Sequence, residues 1–169
     1  MVRVQRAIYL RGLFLTRYAA AEMALSHLLV SAKEHPEYSD IPVLPFKFER
    51  VKSAARSLVS RKGPISQFSV DIEAGIQLLE SFQPHRDLIA HGLMQLPSPA
   101  HPNRVGFRMY RKRGGDVEYC VVEWTMDLLE EMVARSAGLT PMLLGTISTI
   151  FRELKLGTLP DTGSLYETP

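Results

Sequence analysis

The chain has 169 residues, 46% of them hydrophobic and 22% charged, with a formal net charge of +2. That length suits one domain, or a domain with a tail, and the composition excludes wholesale disorder. The single cysteine, Cys120, excludes an internal disulfide and suits a reducing compartment, while so small a charge permits a nucleic-acid partner without pointing to one.

The first segment reads as a long helix. Leu10, Phe14, Tyr18, Ala21, Leu25, Leu28 and Leu29 recur at spacings of three and four, which makes a stripe wide enough to face a core. Arg17 and Glu22 interrupt the apolar stretch, so it does not read as a secretory leader. The helix should end near His35-Pro36, because the residue before a proline is pushed out of the α region. A second helix is expected from Pro45, burying Phe48, Val51, Ala55, Leu58 and Val59, with Gly63-Pro64 as its stop.

A third helix is expected after Ser69 as N-cap, with Asp71 and Glu73 in its first turn and Ile72, Ile76 and Leu79 on its buried face. Pro84 should kink it or restart it, and Gly92 should end it in a left-handed conformation. The prolines at 97, 99 and 102 mark residues 94–103 as a loop.

Arg113-Gly114-Gly115-Asp116 reads as a hairpin turn with a two-residue loop. Folding about it pairs Val105 with Trp124, Phe107 with Val122 and Met109 with Cys120, all on one face, and sets Arg111 opposite Glu118. A last helix follows, capped by Thr125, with Asp127 in its first turn. It should bend between Gly138 and Pro141 and end near Leu156. The longest uncharged run, Ser136 to Phe151, is too short to span a membrane and holds Gly138, Pro141 and Gly145. The expected architecture is a single, mainly all-α cytoplasmic domain over residues 1–156. It would be a bundle of four to five helices with one inserted β-hairpin at about 104–124, followed by a flexible tail at 157–169.

No phosphate-cradling glycine loop, zinc-ligand spacing or nucleophile elbow is present, and the spacings of the five histidines do not suggest a metal site. No metal or cofactor is expected. The segment with chemical promise is Arg86-Asp87-Leu88-Ile89-Ala90-His91-Gly92. Asp87 and His91 are four apart, so on a helix the carboxylate can accept an imidazole N–H and favour the charged ring. The helix C-terminus acts in the same direction, moving His91 toward a range useful for proton transfer at neutral pH. Arg86 offers a planar fork of donors that suits a phosphate, and His85 adds an imidazole beside it. Arg86 and His91, five apart, lie about 140° apart around an ideal helix. Either the arginine reaches around, or a second subunit completes the pair.

An arginine, a polar residue, three mostly apolar residues, then histidine and glycine, late in a helix of a helical chain, resembles the motif of HEPN domains. The order of helices over residues 8–155 is also similar to that family, with the hairpin as an insertion. The resemblance implies a homodimer whose two motifs face each other across a cleft and cut RNA without a metal, leaving a 2′,3′-cyclic phosphate. It would make His91 the general acid or base, Arg86 the holder of the scissile phosphate, and Asp87 the residue that orients His91. It also implies a toxin or defence role, with a nucleotidyltransferase-like antitoxin as a possible partner.

Arg111, Lys112 and Arg113 at the hairpin tip, with His85, are candidate RNA contacts, since such clusters neutralise phosphates. A solvated turn is the plainer reading of the tip. Tyr110 and Tyr119 face each other on the outer side, where they could stack on a base or simply pack across the strands. The alternative function is a non-catalytic helical dimer or an RNA- or nucleotide-binding module, with the same residues serving an interface.

Overall fold

The computed structural model describes residues 3–41 and 47–157, with the side chain of Arg113 outside the description. The chain is mainly helical with a small antiparallel sheet. The elements run α1 (Arg3–Ala32), α2 (Phe48–Ser60), α3 (Ser69–His91), β1 (Leu93–Gln95), β2 (Arg104–Arg113), β3 (Asp116–Thr125), α4 (Met126–Ser136) and α5 (Thr146–Leu154). The expected start of the second helix at Pro45 and the expected tail at 158–169 lie outside the described residues. No helix among the described residues is long and apolar enough to cross a membrane.

The chain divides into two compact units, one of Met1–Tyr18 with Glu80–Gly138, the other of Ala19–Leu79 with Leu139–Pro169. In the second unit, Leu25 and Leu28 of α1, Leu58 of α2, Ile72 and Ile76 of α3, and Ile147 and Ile150 of α5 are buried. Tyr38 is buried there as well, and its hydroxyl accepts a hydrogen bond from the Ile65 backbone N–H at 3.0 Å. Gly75 of α3 faces Leu143 so closely that an added Cβ would overlap the leucine side chain. Arg56 of α2 bonds both carboxylate oxygens of Glu73 on α3, at 2.8 and 2.9 Å, a bidentate geometry that fixes orientation as well as distance.

The first unit holds the sheet and the sequence motif. Phe14 on α1 and Phe82 on α3 meet edge to face with ring centres 5.7 Å apart, a preferred aromatic geometry. Val105 and Phe107 of β2 are buried in this unit, as are Leu129 and Val133 of α4. The β2–β3 register is the one the turn predicts, with Val105 opposite Trp124, Phe107 opposite Val122, Met109 opposite Cys120, and Arg111 opposite Glu118. Gly114 and Gly115 both have positive φ, 61° and 111°, as a tight two-residue hairpin turn requires.

Three local expectations change, and a choice left open at Pro84 is narrowed. The 94–103 segment is not all loop, because Leu93–Gln95 pairs antiparallel with Gly106–Arg108 and makes the hairpin part of a three-stranded sheet, order β1-β2-β3. Ser69 is a helical residue and not an N-cap, since a 3₁₀ turn over Pro64–Phe68 runs directly into α3. Pro84 lies inside α3, which continues to His91, so no new helix starts there. Gly92 is not left-handed. Its lack of a side chain matters because a Cβ there would run into the Leu88 carbonyl oxygen.

Thr125 caps α4 as expected, its hydroxyl accepting from the Leu128 N–H at 3.2 Å. In place of the one bent helix expected, the structure has two helices with a break between them. α4 ends at Ser136, a π-helical turn spans Thr140–Gly145, and α5 ends where Lys155 takes a left-handed conformation.

Candidate functional site

The motif occupies the last two turns of α3. Leu88 and Ile89 are buried and fix the helix to the core of the first unit, while Arg86 and Asp87 are half-buried and His91 is exposed. Arg11 of α1 donates from Nε to the Ile89 carbonyl oxygen at 3.0 Å, tying the motif to the first helix. Arg17, two turns further along α1, donates to the Val133 carbonyl at 2.7 Å.

Arg86 donates from Nη1 to Oδ1 of Asp87 at 3.1 Å. Its guanidinium carbon stands 5.8 Å from the centre of the Tyr18 ring, within range of a cation–π attraction. The bond expected between Asp87 and His91 is not formed among the described residues. Asp87 serves Arg86 instead, because the neighbouring guanidinium offers a fixed charged donor, whereas His91 is exposed at the helix end.

Asp87 and His91 share one side of α3 with Glu80, and that side forms one wall of an open groove of about 670 Å³. The opposite wall is β2, which contributes Tyr110, Arg111 and Lys112. His91 and two of the three predicted hairpin cations thus lie on one groove. The third, Arg113, ends β2, and its side chain lies outside the description.

Arg86 is not on that groove, in agreement with the angular separation that a five-residue spacing imposes. His85 is on neither wall. Its ring lies 5.6 Å from that of Trp124, beside a small hollow of about 60 Å³ shared with Phe82 and Arg135. The groove is electrostatically mixed. Glu80 and Asp87 stand on the helix side, while Arg111 and Lys112 stand on the sheet side, where a polyanion would meet positive charge first.

Tyr18, Arg11 and Glu80 were not singled out from the sequence. Tyr18 reads there as one more core position of the helical stripe, and only folding brings its ring under Arg86. Arg11 is one of several charged residues along α1, and nothing in the sequence says where its partner lies. Among the described residues, no three His, Cys, Asp or Glu side chains gather to hold a metal ion. Comparison with protein-family models, curated proteins and solved structures returns no match for the chain.

Proposed function

We propose that the chain is an HEPN-like, metal-independent endoribonuclease acting as a homodimer, with Arg86 and His91 as its reacting pair. The observation that carries the reading is the exposure of His91 at the end of α3, on an open groove whose other wall presents Arg111 and Lys112. A phosphodiester lying in that groove would have an imidazole on one side and two cations on the other. His91 would accept the proton of the ribose 2′-hydroxyl as that oxygen attacks the adjacent phosphorus. The bond to the 5′-oxygen would then break, and that oxygen would take up a proton, leaving a 2′,3′-cyclic phosphate and a 5′-hydroxyl. Arg86, always charged, would hold the phosphate oxygens as charge builds on them. Because Arg86 and His91 diverge within one chain, the pair is best completed by Arg86 of a second copy.

A specific observation favours a second reading. Arg86 is already engaged by Asp87 and set against Tyr18, as suits a residue that supports an interface or an RNA-binding surface without catalysis.

The deciding experiment incubates purified protein with mixed RNAs in excess EDTA, beside Arg86→Ala and His91→Ala variants that fold and associate like the parent. Cleavage by the parent alone, with cyclic-phosphate ends, supports the nuclease. No cleavage by any of the three supports the binding module.

A further inference from the structure

We infer that the outward face of the three-stranded sheet is a binding platform for single-stranded nucleic acid, with Tyr110 and Tyr119 stacking bases and Arg108 and Lys112 meeting phosphates. The register decides which side chains share this face. Tyr110 stands opposite Tyr119, Lys112 opposite Val117, and Arg108 between Val121 on one side and Leu93 on the other. These are not half-hidden positions, since Tyr110 is 73% exposed and Tyr119 is 51% exposed. Their ring centres lie 5.1 Å apart with planes inclined at 46°, so the two rings support each other and still present open surface.

A large aromatic left in water at a cross-strand pair gains most from a partner with a π-face. Every nucleobase has one, and each stacked base typically adds roughly 5- to 150-fold in affinity. A duplex keeps its bases stacked on each other and offers no such face, which selects single strands. Charge favours a nucleic acid over a second copy of the chain. The face carries Arg104, Arg108 and Lys112 against the single carboxylate of Glu123, which is already 3.2 Å from Arg104. Two such faces brought together about a two-fold axis would oppose like charges, whereas a phosphate backbone is attracted along the whole of β2.

Tyr110 and Lys112 also line the groove that holds His91. A strand laid across the rings therefore continues toward the motif. Only this last link rests on the ribonuclease reading; the platform itself is defined by the sheet.

The test is fluorescence anisotropy with the full chain and a labelled single strand of about 12 uridines. Its sugars carry 2′-O-methyl groups, which cannot attack the phosphate, so binding is read apart from cleavage. The parent should bind this strand and bind a duplex of equal length at least about tenfold more weakly. Tyr110→Ala/Tyr119→Ala should lose at least about tenfold, and Tyr110→Phe/Tyr119→Phe should stay within about twofold. Lys112→Gln should flatten the dependence of log affinity on log salt by about 0.7. Any of the following overturns the platform: no binding by the parent, equal binding of duplex, an alanine pair that folds and binds like the parent, or a phenylalanine pair as weak as alanine. If the alanine pair does not fold, an unchanged salt slope in Lys112→Gln overturns it. Tyrosine-dependent binding without RNA cleavage sinks the nuclease reading and supports the platform.

Discussion

Asp87 accepts its hydrogen bond from Arg86, the residue just before it, and not from His91 one turn further on. Their side chains are 32% and 44% exposed, so the pair is open to solvent and worth little to folding. Asp87→Asn should leave the urea midpoint nearly unchanged, a cost below about 1 kcal/mol. In an RNA-cleavage assay it should lower kcat, because the guanidinium loses its orienting charge, without weakening RNA binding. Equal losses in kcat and in affinity would show that Asp87 acts on substrate directly.

Gly75 is a packing glycine. An added methyl there would overlap Leu143, which is fully buried. Gly75→Ala should destabilise the chain by about 1–3 kcal/mol, even though alanine is the better helix former. Trimming the obstacle in Gly75→Ala/Leu143→Ala should cost less than the two single changes added together. Strict additivity in chemical denaturation would show that the two sites do not press on each other.

The start of α4 depends on one hydroxyl. Thr125→Ala removes the acceptor for the Leu128 N–H and should cost about 1 kcal/mol, whereas Thr125→Ser should restore most of it. Thermal denaturation of the three proteins side by side checks this.

Two exposed ion pairs set the acid response. The guanidinium of Arg61, hydrogen-bonded to Asp40 at 2.6 Å, holds that carboxyl below its usual range, and Arg6 does the same to Glu130 at 2.6 Å. A carboxylate whose pKa is lowered by folding stabilises the native state above its unfolded value, near 4, and that contribution fades as pH falls through the folded value. Arg61→Gln and Arg6→Gln should therefore each flatten the fall in stability below about pH 4 and change little at higher salt. Acid limbs that match the parent at low salt would show that these pairs do not form in solution.

What could be read from the sequence followed from local chemistry. The glycine pair at 114 and 115 fixes a hairpin register by itself, and the Thr125 cap and the break after α4 carry equally local signals. β1 could not be read, because Leu93, Met94 and Gln95 are too few to show an alternating pattern and acquire strand character only by pairing with β2. Ser69 resembles a cap in isolation, but the preceding 3₁₀ turn already supplies a helical backbone. At the site, helical spacing correctly kept Arg86 and His91 apart. The choice of Asp87 between two partners was not legible, since it depends on where Tyr18, far away in sequence, receives the guanidinium.

Among the described residues β3 ends the sheet, so one side of a ten-residue strand carries backbone donors and acceptors that no neighbouring strand takes up. A bare edge of that length would tend to recruit another copy and grow into fibres. Asp116, Glu118 and Glu123 along it make such stacking self-repelling, since each added chain would bring three more carboxylates into line. Resistance to such stacking thus depends on the same strand that displays Tyr119, and replacing those carboxylates with amides should expose the chain to aggregation.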